Sequence, residues 1–392
     1  MKKILIHDFA GHPFAINLSR TLARRGHDTT HAFCGGTTTG RGDLTLRSDD
    51  PEALHIVDVS DAPFERYSPA GRLRSEARYG RRCAELVRDL DPDAVISANT
   101  PLLSQARLWR SARSSGARRI FWVQDFLGLG TRAVLAQRSA ILGATLGWAL
   151  EHLETSLLRR SDHTIVIADD FVDELTRRGL DGPVSVIENW TPTEEITCRP
   201  KSTPWSEARG LDGIDVALYS GTLGLKHDPE HLVALALALE GTGGAVVVVT
   251  EGLGREHLER RREDLGLQSL HLLDFVDYDV LPDVLGAADV ALVLLEEEAG
   301  VFSVPSKVLS YLAAGRPIVA AMPRENLAAR LIERARAGVV VSPGDHDGFA
   351  AAAVSLLADP ERRQAMSRQA RDYAETAFDV ERIADRIEAI LS

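Results

Sequence analysis

The segment Val216-Ala217-Leu218-Tyr219-Ser220-Gly221-Thr222-Leu223-Gly224-Leu225-Lys226-His227 sets four strand-forming residues before a serine, two glycines and a lysine. A short apolar run that breaks at glycine and then turns helical is how a parallel strand hands over to its crossover helix. The same alternation recurs after it at 245–250, 270–273, 290–295, 318–321 and 339–341. Before it, strand-like runs occupy 4–7, 29–33, 94–97, 120–123, 164–168 and 184–187, with longer amphipathic stretches between them. The first of those stretches is a helix from Pro13 to Arg25, with Gly26 placed for a left-handed C-cap. Regularity fails around Glu188-Asn189-Trp190-Thr191-Pro192 and again at Pro200 and Pro204, so the linker belongs there. The reading is an α/β chain of two Rossmann-like domains facing a central cleft: 1–192, 193–375, and a final helix over 376–392 returning to the first domain.

Length and composition agree. At 392 residues, with 44% hydrophobic and 26% charged residues, the chain can fill two cores and has no low-complexity tract. Cys34, Cys83 and Cys198 are odd in number and far apart, which gives neither a disulfide framework nor a zinc site. The start, Met1 to Asp8, reads as a first strand and lacks a signal peptide's long apolar run, so a cytoplasmic location is expected. The net charge of −12 is lopsided: 25 basic against 24 acidic residues up to position 192, then 20 against 33. Residues 101–150 nevertheless hold seven arginines (Arg107, Arg110, Arg113, Arg118, Arg119, Arg132, Arg138) and a single acid, Asp125. No aromatic interleaving or reading motif accompanies them, which argues against nucleic acid and leaves anionic lipid as the partner to test. The apolar run 140–150, flanked by Arg132, Arg138, Arg159 and Arg160, is too short to span a bilayer. It either lies on the inner membrane face or packs as an ordinary amphipathic helix.

Ligands of open α/β sheets bind at the carboxyl ends of the strands, so three loops carry the candidate chemistry. In Asp8-Phe9-Ala10-Gly11-His12-Pro13, Gly11 lets the backbone approach a bound group at a helix start; the alternative is a tight turn with a solvated His12. The absence of G-x-G-x-x-G and of a Walker lysine disfavours a nicotinamide dinucleotide or P-loop nucleotide. In the quoted segment, Gly221 and Gly224 admit a phosphate and Lys226 offers an ammonium, or the loop is merely flexible with a solvated lysine. In the third loop, Gly300 to Pro317, Pro305 suits a helix's first turn, Ser303 or Ser306 can cap it and Gly315 ends it. Its amides, with Ser306 and Lys307, can hold a second phosphate face, and Ser310 lies one turn on; a capped core helix is the plain alternative.

Together these stretches resemble the retaining enzymes of glycosyltransferase family 4, which have the GT-B fold. The match runs through Gly26-His27-Asp28, Ile187-Glu188-Asn189-Trp190, Tyr219 to Lys226, Glu251-Gly252, Leu273-Asp274-Phe275-Val276 with Leu281-Pro282, Ala288-Asp289-Val290 and Pro305-Ser306-Lys307. It is similar above all to the branch that builds bacterial surface polysaccharides, such as fucosamine and colanic-acid transferases. The resemblance implies an acceptor-binding first domain, with Gly11 and His12 in the acceptor loop, and a nucleotide-sugar-binding second domain. It makes Lys226 a contact of the donor diphosphate and places the base at the backbone of Val276. Phosphate falls to the amides of Ser303, Val304, Ser306 and Lys307. Gly221, Thr222 and Ser310 complete the donor set, and Lys226, Asp125 and His12 are the catalytic candidates. Three positions depart from the family: Thr222 replaces an arginine, and the paired glutamates fall on Phe302 and Ser310, with Glu296-Glu297-Glu298 as a stand-in. Gln124-Asp125 occupies the place of a family His-Asp.

The expected reaction is transfer of a sugar from a nucleotide-diphosphate sugar to a hydroxyl of a glycan, glycolipid or small-molecule acceptor. Neither a cofactor nor a metal is expected, because cationic side chains can take the leaving charge. Retention follows from the family; inversion would need a base, for which His12 and Asp125 are the candidates. Two other readings stand: a sugar-nucleotide epimerase of the same architecture, and a non-catalytic subunit that binds a nucleotide or glycan.

Overall fold

The computed structural model describes residues 1–392 apart from 37–40, 66–67, 225–226 and 300–303. The described chain divides into two compact units, Met1–Asn189 with Val380–Ser392, and Trp190–Asp379. The boundaries fall three residues before and four residues after those expected. Trp190 and Phe378, which flank the second unit's two ends, are both buried.

The first unit holds a seven-stranded parallel sheet: β1 (Lys3–Asp8), β2 (Asp28–Phe33), β3 (Leu54–Asp58), β4 (Ala94–Ala98), β5 (Arg118–Val123), β6 (His163–Val166) and β7 (Val184–Val186). Their spatial order is β3-β2-β1-β4-β5-β6-β7. Ile4, Leu5 and Ile6 of β1 are at most 1% exposed, because helices cover both faces of the sheet. β3 was not expected from the sequence. It is an edge strand whose exposed His55 and Asp58 interrupt a run of only three apolar residues. Helix Pro13–Arg24 follows β1, with Pro13 in its first turn and Gly26 at a φ of 89° just past its end.

The second unit repeats the plan with β8 (Val216–Ser220), β9 (Ala245–Val249), β10 (Leu270–Leu273), β11 (Val290–Leu294), β12 (Ile318–Ala321) and β13 (Gly338–Val341), in the order β10-β9-β8-β11-β12-β13. Its core gathers Val246, Val248, Leu292 and Val319 from the strands with Leu232, Leu235, Phe349 and Leu356 from two helices. Both sheets are wound outward in two directions from one strand. The connection reverses between β1 and β4 in the first unit and between β8 and β11 in the second, and loops leave room for a ligand at such points.

The last helix, Val380–Leu391, belongs to the first unit. It buries Ile383, Ala384, Ile387, Ile390 and Leu391. Arg25 fans out to Glu381, Asp385 and Glu388 on its other side, at 2.7 to 2.8 Å.

Candidate functional site

At the reversal point of the first unit, β1 ends on Asp8, a fully buried carboxylate. It accepts hydrogen bonds from the His12 backbone N–H and from Asn99 Nδ2 at 3.0 Å, and it pairs with His12 Nδ1 at 3.0 Å. Asn99 follows β4 and sits at a φ of 55°, a conformation that aims its amide across the gap. Burial opposes the charge on Asp8, but His12 and these donors outweigh it and hold the carboxyl far below its usual range. Burial likewise works against the imidazolium of His12. Asp8 overcomes it, Asp125 adds to the effect, and the His12 value rises above that of an ordinary histidine. The structure therefore brings His12 and Asp125 into one electrostatic group. The raised value favours the protonated, donating form of the His12 ring.

Gly11 is required where it stands. Its φ is 73°, and a Cβ there would lie 2.6 Å from Leu44 Cδ1. Its carbonyl accepts from the Gly42 N–H at 2.9 Å, so the turn is roofed by a second loop and is not simply solvated. Beneath it, His7 is held by Tyr79 Oη and Thr100 Oγ1, both at 2.8 Å. Burial pushes the His7 ring down to about 4. Next to Asp125, the buried Gln124 accepts a short hydrogen bond from Asn189.

In the second unit the corresponding point is built from β8, the loop after it and helix Lys307–Ala313. Gly221 has a φ of 132°, and a Cβ on it would lie 3.1 Å from Lys307 Cε and Nζ. The loop's amides are mostly spent within the protein. Gly221 N–H donates to Val249 O at 3.0 Å, Leu223 N–H to Glu251 O at 3.4 Å and Gly224 N–H to His227 Nδ1 at 3.1 Å. An anion arriving here must be met chiefly by side chains. Among the described residues Lys307 is so placed. Its Nζ lies 3.4 Å from the centroid of the Tyr219 ring, is buried, and has no hydrogen-bond acceptor among those residues. Desolvation holds this amine well below the ordinary lysine value. Tyr311, one turn along the same helix, accepts from the Ser220 N–H at 2.9 Å and donates to its carbonyl, locking helix to strand.

The other donor candidates are scattered more widely. Thr222 is exposed, and its carbonyl accepts from Tyr219 Oη at 3.0 Å. Val276 lies partly buried in the loop beyond the edge strand β10, two strands from β8. The helix expected to take in Pro305 begins only at Lys307. Ser306 occupies the N-cap position but makes no capping hydrogen bond with its side chain, because its backbone is itself helical. Val304 and Ser310 are partly buried and Ser306 is exposed. Lys226, Phe302 and Ser303 lie outside the described residues. Glu296 follows β11, and Glu297–Ala299 forms a 3₁₀ turn. Burial pushes the Glu296 carboxyl up, with Asp228 and Glu298 adding to it. The sequence reading passed over Asp8, Asn99, Tyr219 and Tyr311 as functional groups. Asp8 stands at a strand's carboxyl end, a visible signal, whereas the tyrosines read as ordinary core.

Comparison with known proteins agrees with this layout. A family model described as "Glycosyl transferase 4-like domain" matches residues 12–190, and one described as "Glycosyl transferases group 1" matches residues 228–359. WcaI of Escherichia coli (strain K12), whose name gives it as a glycosyl transferase of colanic acid biosynthesis, is 26% identical over 302 residues, covering 74% of this chain and 72% of that protein. The alpha-D-kanosaminyltransferase of Streptomyces kanamyceticus is 27% identical over 188 residues, 47% of each. Among solved structures, sucrose-phosphate synthase from Thermosynechococcus elongatus superposes with a TM-score of 0.76 at 16% identity, covering 99% of this chain and 97% of that one. Anabaena HepE in complex with UDP-glucose gives 0.71 at 16% identity, covering 100% and 99%. With two doubly wound units and a match to both family models, the chain belongs to the glycosyltransferases of the family 4 type and has the GT-B fold.

Proposed function

We propose that this glycosyltransferase moves a sugar, with retention and without a metal, from a nucleoside-diphosphate sugar held by the second unit to a hydroxyl of a glycan or glycolipid of the cell surface. One observation carries the reading: the buried amine of Lys307, beside Gly221 at the reversal point of the second sheet and without a hydrogen-bond acceptor among the described residues. A diphosphate gains charge as the bond from the sugar's anomeric carbon to its oxygen breaks, and a desolvated cation stabilises that charge far better than a solvated one. The acceptor oxygen forms the new bond to the anomeric carbon and its proton passes to the departing diphosphate, so no protein base is needed. Lys226 is assigned to the same phosphates. His12 is assigned with Asp125 to hydroxyls of the sugar or acceptor. The UDP-glucose complex of HepE and the colanic-acid role in the name of WcaI support the donor class and the pathway. The exposed apolar residues of the segment 141–148 support an acceptor anchored in lipid.

A thermal-shift panel of nucleoside diphosphates, followed by proton NMR of the product from the best donor, tests this reading. A ligand at about 100 times its dissociation constant adds about 2.7 kcal/mol to the stability of the state it binds. A product of inverted configuration, or stabilisation by no nucleotide, would overturn it. A second reading, binding without transfer, is favoured by Ser310 at the place of a family glutamate. It predicts stabilisation by the nucleotide with neither transfer nor donor hydrolysis.

A further inference from the structure

We propose that Asp228, His231 and His346 form a binding site for one divalent cation of the zinc type. The group lies in the second unit, apart from Lys307 and Tyr219. One ligand atom from each of the three side chains falls within 4.8 Å of the others. His346 Nε2 is 2.6 Å from Asp228 Oδ2, His231 Nδ1 is 3.8 Å from the same oxygen, and the two imidazole rings are 4.2 Å apart at 69°. Two imidazoles and one carboxylate make the donor set that suits zinc and its borderline neighbours, whereas calcium and magnesium take oxygen ligands throughout.

Each ligand is positioned by its own element. Asp228 Oδ1 accepts from the Glu230 N–H at 2.9 Å, which turns Oδ2 toward the histidines. His231 lies in the first turn of helix Glu230–Leu239 and is 1% exposed, its ring set edge-on against Phe349 at 5.2 Å. Its Nε2 makes no hydrogen bond of normal geometry among the described residues. His346 opens helix His346–Leu357, which packs along the helix of His231. A surface ion pair accounts for His346 and Asp228. The second imidazole is buried beside them, its Nδ1 3.3 Å from the Asp228 carbonyl oxygen and 3.8 Å from the shared carboxylate oxygen. Ligand atoms around tetrahedral zinc stand roughly 3.3 Å apart for bonds of about 2.0 Å, so the 2.6 Å pair would open by less than 1 Å on binding. Glu296 lies within electrostatic reach of Asp228 and His346 and adds negative charge beside the site.

The site joins two parts of the fold that no backbone bond connects. Asp228 ends the loop that starts at Gly221, and its neighbour His227 holds that loop through the Gly224 N–H. A bound cation therefore clamps the loop to the start of helix His346–Leu357.

The test is direct. The full chain, stripped with EDTA and dialysed, is titrated with Zn²⁺ in competition with a chromogenic chelator. One tight equivalent per chain and a rise in Tm are expected. His346→Ala and Asp228→Asn should each weaken that equivalent at least tenfold, while His55→Ala, at the remote pair with Asp28, should leave it intact. His346 and Asp228 are partly exposed, so both variants should fold, as far-UV circular dichroism will report; His346→Gln repeats the test with less change in volume. Zinc binding no tighter in the wild type than in His346→Ala, or weakened equally by His55→Ala, overturns the proposal.

Discussion

Lys307 sets a conflict that a ligand would resolve. An amine desolvated against an aromatic face costs the empty protein stability, because the folded chain holds its proton less tightly than the unfolded one. Lys307→Met keeps the length of the side chain and removes the charge. The variant should be at least as stable as the wild type in thermal denaturation, yet should lose about 10- to 100-fold in affinity for a nucleoside diphosphate, the value of a charge-assisted contact. A lower Tm with an unchanged ligand response would make Lys307 a structural pin. The sequence named this lysine from its place beside Pro305 and Ser306. It could not show that Tyr219, 88 positions earlier, is the surface on which the amine rests, because that meeting is made by the order of the strands. Histidines in the first unit support a second prediction. Burial pushes His7 and His31 down to about 4, so between the unfolded value near 6.5 and pH 4 only the unfolded chain takes up their protons. Stability should fall across that window by up to about 3 kcal/mol for each ring. Asp8, depressed in the folded state, adds its loss only below it, and the His12 contribution is lost instead as pH rises through its raised value. Urea denaturation at pH 7, 5.5 and 4 should show a shallower acid slope in His31→Gln than in the wild type; equal slopes would remove His31 from the account.

Helices Leu127–Arg138 and Trp148–Arg159 form a pair joined by Ala140–Leu142 and a π-helical turn, Gly143–Gly147. The glycines permit the close approach: a Cβ on Gly143 would lie 2.7 Å from Ala136 Cβ, and one on Gly147 2.8 Å from Arg132 Cα. The result leaves Ile141 75%, Leu146 52% and Trp148 50% exposed on a tip too short to cross a bilayer. Arg159 and Arg160 are exposed at the far end of the second helix. Large apolar side chains grouped in water mark a surface that another phase or partner covers, and a lipid interface accepts tryptophan and leucine beside arginine. Leu146→Asp with Trp148→Asp should therefore abolish co-sedimentation with anionic liposomes at low salt, each residue accounting for roughly tenfold in partitioning or more. The far-UV spectrum should not change. Equal sedimentation of the variant and the wild type would sink the membrane reading. At this scale the sequence was read well where strands are long and buried, and poorly where an edge strand such as β3 alternates with solvent. It also showed two glycines after β8 that admit a phosphate. The structure spends the amides of this loop on Val249, Glu251 and His227, the first two brought there by the neighbouring strand.

The two units differ in how the chain composes them. The second is one continuous stretch, Trp190–Asp379, while the first is completed by thirteen residues from the far end of the sequence, Val380–Ser392. Ile383, Ile387, Ile390 and Leu391 are each at most 8% exposed there. Burial of an aliphatic side chain contributes about 1.5–3 kcal/mol, so the four together approach the 5–15 kcal/mol that holds an ordinary domain folded. The Arg25 fan to Glu381, Asp385 and Glu388 adds less, since its acids are largely solvated. A chain ending at Asp379 should thus lose the cooperative melting of the first unit, while the second, whose core draws nothing from the last helix, keeps its own transition. Calorimetry should show one transition removed or lowered by 10 °C or more, on the order expected for a loss of several kcal/mol. The surviving transition should still rise with a nucleoside diphosphate, since every group assigned to the phosphates lies between Gly221 and Ser310. Loss of that ligand response together with the first transition would mean that donor binding depends on the first unit, and the assignment of the donor to the second unit alone would fail.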